Sequence, residues 1–108
     1  MKYRVNQRTG DRISEIGIGT AYICDTPEEE AVRALRFAFE NGINFFDLAT
    51  SHSRTFDFFR KALGDVRNQV FYQIHFGADY SKGDYGWSLR LEDVKRSISQ
   101  TLEALGTD

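Results

Sequence analysis

The spacing of apolar positions changes several times along the chain, and each change marks an element. Val32, Leu35 and Phe39 recur at helical spacing with Ala31 and Ala38 on the same side, which predicts a helix over residues 27–41. Ahead of it, Thr26-Pro27-Glu28-Glu29 reads as a capping box, with Thr26 as N-cap and proline at the first helical position. Behind it, Asn41-Gly42 supplies a left-handed stop. A shorter helix over Arg54–Leu63 carries Phe56, Phe59 and Leu63 along one stripe, with Gly64 after it. A last helix over 91–105 turns Val94, Ile98, Leu102 and Leu105 inward, and Gly106 caps it.

Between the helices the apolar runs are short. Residues 3–5 and 12–16 flank Asn6-Gln7-Arg8-Thr9-Gly10-Asp11 and read as a turn-linked pair of strands. Residues 16–21 form a short buried strand, 43–48 a second, and 70–76 a third rich in aromatic and β-branched side chains. A polar, glycine-rich loop runs from Gly77 to about Ser88. The order is a hairpin followed by β-α-β-α-β-α, which implies a parallel sheet with right-handed crossovers. Apolar runs of this kind suit strands covered on both faces. No repeat or low-complexity linker divides the chain, so residues 1–108 are expected to lie in one domain. Three parallel strands leave two open edges. The expectation is therefore either the front of a longer protein, incomplete as one domain, or a sheet completed by self-association.

Composition narrows the function classes. Fourteen Lys+Arg against 16 Asp+Glu give a net charge of −2, which argues against a nucleic-acid partner. The content of nine Phe, five Tyr and one Trp is ample for a folded core. No apolar run approaches a membrane span, and no membrane partner is expected. The single cysteine, Cys24, cannot form an internal disulfide, and the expected setting is the cytoplasm.

In such architectures the working residues collect at the carboxyl ends of the strands. That rule selects Gly19, Thr20 and Ala21 after the first strand, Asp47 with His52 in its loop at the second, and His75 at the third. Each also has an ordinary structural explanation. An Asp after a strand can cap a helix or tie a loop. A strand histidine can be a hydrogen-bonded core residue. His52 between two serines can be a solvated loop residue, and Cys24 an inert small side chain. Tyr85 and Trp87 can stack on a ligand or fold back on the core. Gly17-Ile18-Gly19 is not a Rossmann fingerprint, because the third glycine position is Tyr22. That glycine pair instead permits close approach to a ligand or a neighbouring strand.

These residues together resemble a known family. Tyr3-Arg4, Thr9-Gly10 and Ser14-Glu15-Ile16-Gly17-Ile18-Gly19-Thr20 resemble the opening hairpin and first strand of the aldo-keto reductases. Gly42-Ile43-Asn44-Phe45-Phe46-Asp47-Leu48-Ala49-Thr50 resembles their second strand, and Leu105-Gly106-Thr107-Asp108 their link into strand four. The resemblance implies an α/β fold in which the hairpin and three β/α units open a (β/α)8 TIM barrel. It also implies an oxidoreductase that transfers hydride from NADP or NAD to a small-molecule carbonyl substrate. Asp47 matches the family's catalytic aspartate, while Gly19, Thr20, Ala21 and Asp47 match positions near the cofactor. Two positions depart: His52 stands where the family has its proton-donating tyrosine, and His75 where it has lysine. The family's catalytic histidine belongs to strand four, past Asp108, so weak or no activity is expected of the 108 residues alone.

An imidazolium can donate a proton without help from a lysine. The expectation is thus His52 as general acid, with Asp47 and His75 tuning it. Two alternatives stay open. Asp47, His52 and His75 would make a two-histidine, one-carboxylate metal set if they converged. Loss of the tyrosine and lysine would also fit a non-catalytic relative or an assembly module.

Overall fold

In the computed structural model, which describes residues 1–108, the expected alternation of strands and helices is present. A hairpin of β1 (Tyr3–Val5) and β2 (Arg12–Ser14) leads into β3 (Ile18–Gly19), α1 (Glu28–Glu40) and β4 (Phe45–Asp47). Next come α2 (Arg54–Leu63), β5 (Phe71–Gln73), a small hairpin of β6 (Ala78–Asp79) and β7 (Gly86–Trp87), and α3 (Leu91–Leu105). The strands β3, β4 and β5 form one parallel sheet in that order.

Register explains how the sheet divides its side chains. Ile18 pairs with Phe46 and Phe46 with Tyr72, so these three share one face and pack into the helix layer. Phe46 is fully buried and meets the equally buried Phe59 of α2 edge-on, 5.5 Å between ring centres. Tyr72 closes the cluster, edge-on to both rings. Burying each phenylalanine contributes about 1.5–3 kcal/mol. Phe45, Phe71 and Gln73 occupy the other face, and none of them is fully buried. The expectation of strands covered on both faces is therefore corrected: helices cover one face only.

All three strands are shorter than their apolar runs. Val70 and Leu48 flank the assigned ladders and are buried all the same, so the apolar runs extend past the strands. The expected buried strand over 16–21 contracts to Ile18–Gly19, and Ile16 is 58% exposed. Beyond Thr20 the chain turns into a short 3-10 helix, Ile23–Asp25. That turn also explains why the capping box fails. Thr26 N–H donates to Ile23 O, the N-cap of α1 is Pro27 rather than Thr26, and no side chain caps the helix. Three glutamates in the first turn remain to complement its positive end.

The opposite end of α1 behaves as expected. Gly42, at φ +92°, donates to Phe39 O while Ile43 donates to Ala38 O, a Schellman closure. Gly106 repeats the pattern after α3. Gly64 does not, since its backbone is right-handed and the chain continues as a 3-10 helix, Gly64–Gln69. On α3 the buried seam runs through Val94, Ser97, Thr101 and Leu105, leaving Ile98 and Leu102 half-buried. The small hydroxyl side chains let α3 lie close to β6, where Ser97 Oγ donates to Ala78 O. The supposed loop over 77–88 thus contains a hairpin docked on α3.

The β1–β2 hairpin lies against the amino end of β4. Asn44 Oδ1 accepts from Ser14 N–H and Asn44 Nδ2 donates to Arg12 O, both at 2.8 Å. Tyr3 adds a hydroxyl donation to Gly42 O. The hairpin therefore closes one end of the sheet and leaves the carboxyl ends of the strands free.

Candidate active site

Because β3, β4 and β5 run parallel, their carboxyl ends meet at one rim. Gly19, Asp47 and Gln73 stand side by side in register there. Phe46 faces the helices, so the alternation of a strand turns Asp47 to the opposite face. His75 lies two residues past Gln73 and reaches the same place. Its Nε2 is 2.6 Å from Asp47 Oδ1. The two are 28 positions apart in sequence. With the carboxylate as acceptor, Nε2 carries the hydrogen. The side chains are 40% and 35% exposed, so the pair is accessible to a ligand. Nδ1 of His75 makes no hydrogen bond within the chain.

The neighbouring loops are braced around this pair. Thr20, almost fully buried, donates its hydroxyl to Asp47 O at 2.8 Å. Leu48 N–H donates to Gln73 O at 2.9 Å. Ser51 Oγ donates to Ala21 O and stands 2.8 Å from Cys24 Sγ. The side chain of Thr20 therefore points at backbone, and Ala21 offers its carbonyl to Ser51. Gly19 differs: no heavy atom lies within 4 Å of where its Cβ would be, so the rim beside Asp47 is open. Gly17 serves the sheet instead, since a Cβ there would stand 2.8 Å from the Phe45 ring.

His52 is built into a different structure. Its Nδ1 accepts Arg54 N–H at 3.0 Å, and its Nε2 lies 3.1 Å from where a Cβ on Gly83 would be. Residues flanking it are tied to the β6–β7 connection by Ser53 N–H to Gly83 O and Tyr85 N–H to Ser51 O. Tyr80 donates its hydroxyl to Thr50 O, and burial raises its phenol above the usual tyrosine range. Tyr85 folds back edge-on against Tyr80, while Trp87 stays 66% exposed. No hydrogen bond or ion pair joins His52 to Asp47 or His75. The structure brings together two of the three expected catalytic side chains, and no three His, Cys, Asp or Glu residues come close enough to hold a metal ion.

The anchoring role of Tyr80 and the hydroxyl of Thr20 had no separate signal in the sequence. Each acts on the backbone of a residue about 30 positions away, which local pattern does not encode.

The rim geometry, with an aspartate closing the second strand, agrees with an independent comparison: the model of the aldo/keto reductase family matches residues 15–108. The chain belongs to the aldo/keto reductase family. Among solved structures it is similar to aldo-keto reductase AKR11C1 from Bacillus halodurans in its holo form, with a TM-score of 0.79 and 26% identity over 100% of this chain and 37% of that one. It is also similar to PA4992 of Pseudomonas aeruginosa, assigned as an aldo-keto reductase, with a TM-score of 0.77 and 25% identity over 98% of this chain and 43% of that one. A further Pseudomonas aeruginosa structure with the same assignment shares the fold at a TM-score of 0.76 and 23% identity, over 98% and 43% of the two chains. The chain thus spans 37% to 43% of the length of these structures. No curated protein matches the sequence significantly. Its strands and helices correspond to part of the fold of the aldo-keto reductases it matches.

Proposed function

We propose that the chain supplies the proton-donating rim of a carbonyl reductase that uses NADP or NAD, and that His75 rather than His52 delivers the proton. The observation that carries this is the 2.6 Å contact of His75 Nε2 with Asp47 Oδ1 at the open end of the sheet. A carboxylate on one ring nitrogen orients the imidazole and leaves the other nitrogen to face the substrate as acid. In this arrangement Nδ1 of His75 holds the proton and passes it to the carbonyl oxygen of a small-molecule substrate. Asp47 keeps the ring oriented. No neighbouring heavy atom fills the space a Cβ on Gly19 would take, so the rim beside Asp47 is open, and a nicotinamide would be held there. That group would supply the hydride.

His52 takes a structural role in this reading. Its Nδ1 is engaged as an acceptor, so donation from that atom would require the Arg54 N–H bond to break. The cytoplasm fits a protein with one reduced cysteine.

The deciding experiment follows oxidation of NADPH and NADH by the native protein across a panel of aldehydes and ketones. Turnover abolished by His75→Gln supports the proposal. A second reading, a non-catalytic relative, rests on His52 and His75 replacing the family's tyrosine and lysine. It predicts dinucleotide binding without turnover for every carbonyl. Its assembly form, in which a second copy covers the unpaired edges of β3 and β5, predicts a stable oligomer in sedimentation that binds no dinucleotide.

A further inference from the structure

We propose that Thr20 is a positioning residue whose hydroxyl fixes the direction of the Asp47 carboxylate towards His75. The proposal rests on the role given above to the Asp47–His75 pair, and it moves the Thr20 side chain from the cofactor to the carboxylate. The ladder between β3 and β4 ends at Gly19 opposite Asp47. Thr20 follows immediately, and its Oγ1 donates to Asp47 O at 2.8 Å. The same peptide unit carries Leu48 N–H, which donates to Gln73 O on the other side at 2.9 Å. The Asp47–Leu48 peptide plane is therefore clamped at both ends, by the side chain that follows β3 and by the backbone of β5.

A peptide plane is rigid, so holding both its carbonyl and its N–H leaves ψ of Asp47 little freedom. The direction of the Asp47 Cα–Cβ bond follows, and with it the reach of the carboxylate to His75. Only the β5 side of this clamp is backbone; the β3 side depends on one hydroxyl. Thr20 is 1% exposed, so that hydroxyl meets neither solvent nor a ligand. Its geometry matters because misplacement of a catalytic group by even an ångström lowers rate steeply.

The test compares Thr20→Val, which removes the hydroxyl at constant shape, with Thr20→Ser, which keeps it, and with Asp47→Asn. The imidazole nitrogen-15 shifts of His75 report the pair without any need for turnover. Thr20→Val is expected to move those shifts towards the Asp47→Asn values and to lower kcat by about 10-fold with KM little changed. Thr20→Ser is expected to restore both. Wild-type shifts in Thr20→Val, alongside altered shifts in Asp47→Asn, overturn the positioning role and leave the pair standing. Unaltered shifts in Asp47→Asn itself overturn the pair and the clamp together. Thr20→Ala is read in the same way should the valine variant fail to fold.

Discussion

Ser14 and Asn44 hold each other reciprocally: Ser14 N–H donates to Asn44 Oδ1 at 2.8 Å, and Asn44 N–H donates to Ser14 Oγ at 3.1 Å. Asn44 also donates to Arg12 O, so one side chain stitches the hairpin to the start of β4. Asn44→Ala removes two of these bonds, at about 1 kcal/mol each, and is expected to cost about 2 kcal/mol in all. Urea denaturation should show a lower midpoint with an unchanged slope. A loss below about 0.5 kcal/mol would mean that the hairpin is held by something else.

At the other end of the strands, the Asp47–His75 pair is expected to act as one unit. Asp47→Asn and His75→Gln should each lower carbonyl reduction by ~10²-fold or more. The double variant should be little worse than either single one, because groups that work together are non-additive. Multiplicative losses in steady-state kinetics would show that the two side chains act separately.

His52→Gln separates two accounts of that residue. If His52 orders the loop, turnover stays within a few-fold of wild type while the amides of Ser53 and Tyr85, which bond Gly83 O and Ser51 O, exchange faster with deuterium. A ~10²-fold fall in turnover with unchanged exchange would return the proton to His52.

How far such roles can be read from sequence depends on what holds each residue. Asn41-Gly42 and Gly106 were legible because a Schellman stop is local: the glycine, at positive φ, and its hydrogen bonds lie within six residues. The parallel order of β3, β4 and β5 was legible because Ile18, Phe46 and the residues around Tyr72 form apolar runs separated by helices. Thr26 misled, because the preceding turn takes its N–H and leaves Pro27 as the cap. The β6–β7 hairpin carried no period-2 signal. It is two residues long on each side, only a glycine fits at position 86 because a Cβ there would lie 2.9 Å from Asp79 O, and Ser97 and Arg96 of α3 hold it from outside. The rim positions of Asp47 and His75 followed from the strand ends. The separation of His52 from them did not, since it is set by the fold of the loop against Gly83.

Arg96 should make the hairpin acid-sensitive. Ser81 N–H holds the Asp79 carboxyl below its ordinary value, with Arg96 assisting, and the Ser88 hydroxyl does the same for Asp93, again with Arg96. Both groups bind protons less readily folded than unfolded, so the unfolded chain is protonated first as acid is added. Their stabilisation is complete above the ordinary carboxylate range, about pH 4, and is lost as pH falls below it. Arg96→Gln should lower the thermal midpoint near neutrality and reduce its further fall in acid. An acid response identical to wild type would exclude Arg96 as the coupling group.

Alkaline solution should act on Tyr72 in the opposite direction. Burial beside Phe46 and Phe59 pushes its phenol from 10.0 up to about 12, although the Arg67 guanidinium, 4.5 Å from the ring centre, works against the rise. Between these values the unfolded chain releases the phenolic proton and the folded chain keeps it. The folded state then binds more protons, so stability falls as pH climbs past about 10 and levels off only near 12. The hydroxyl of Tyr72 has no hydrogen-bond partner to lose, so Tyr72→Phe should leave neutral stability nearly unchanged. It should, however, flatten the fall in urea midpoint between about pH 10 and about pH 12. Equal falls in the two proteins would place the alkaline sensitivity elsewhere, with Tyr80, raised by burial in the same way, the next residue to replace.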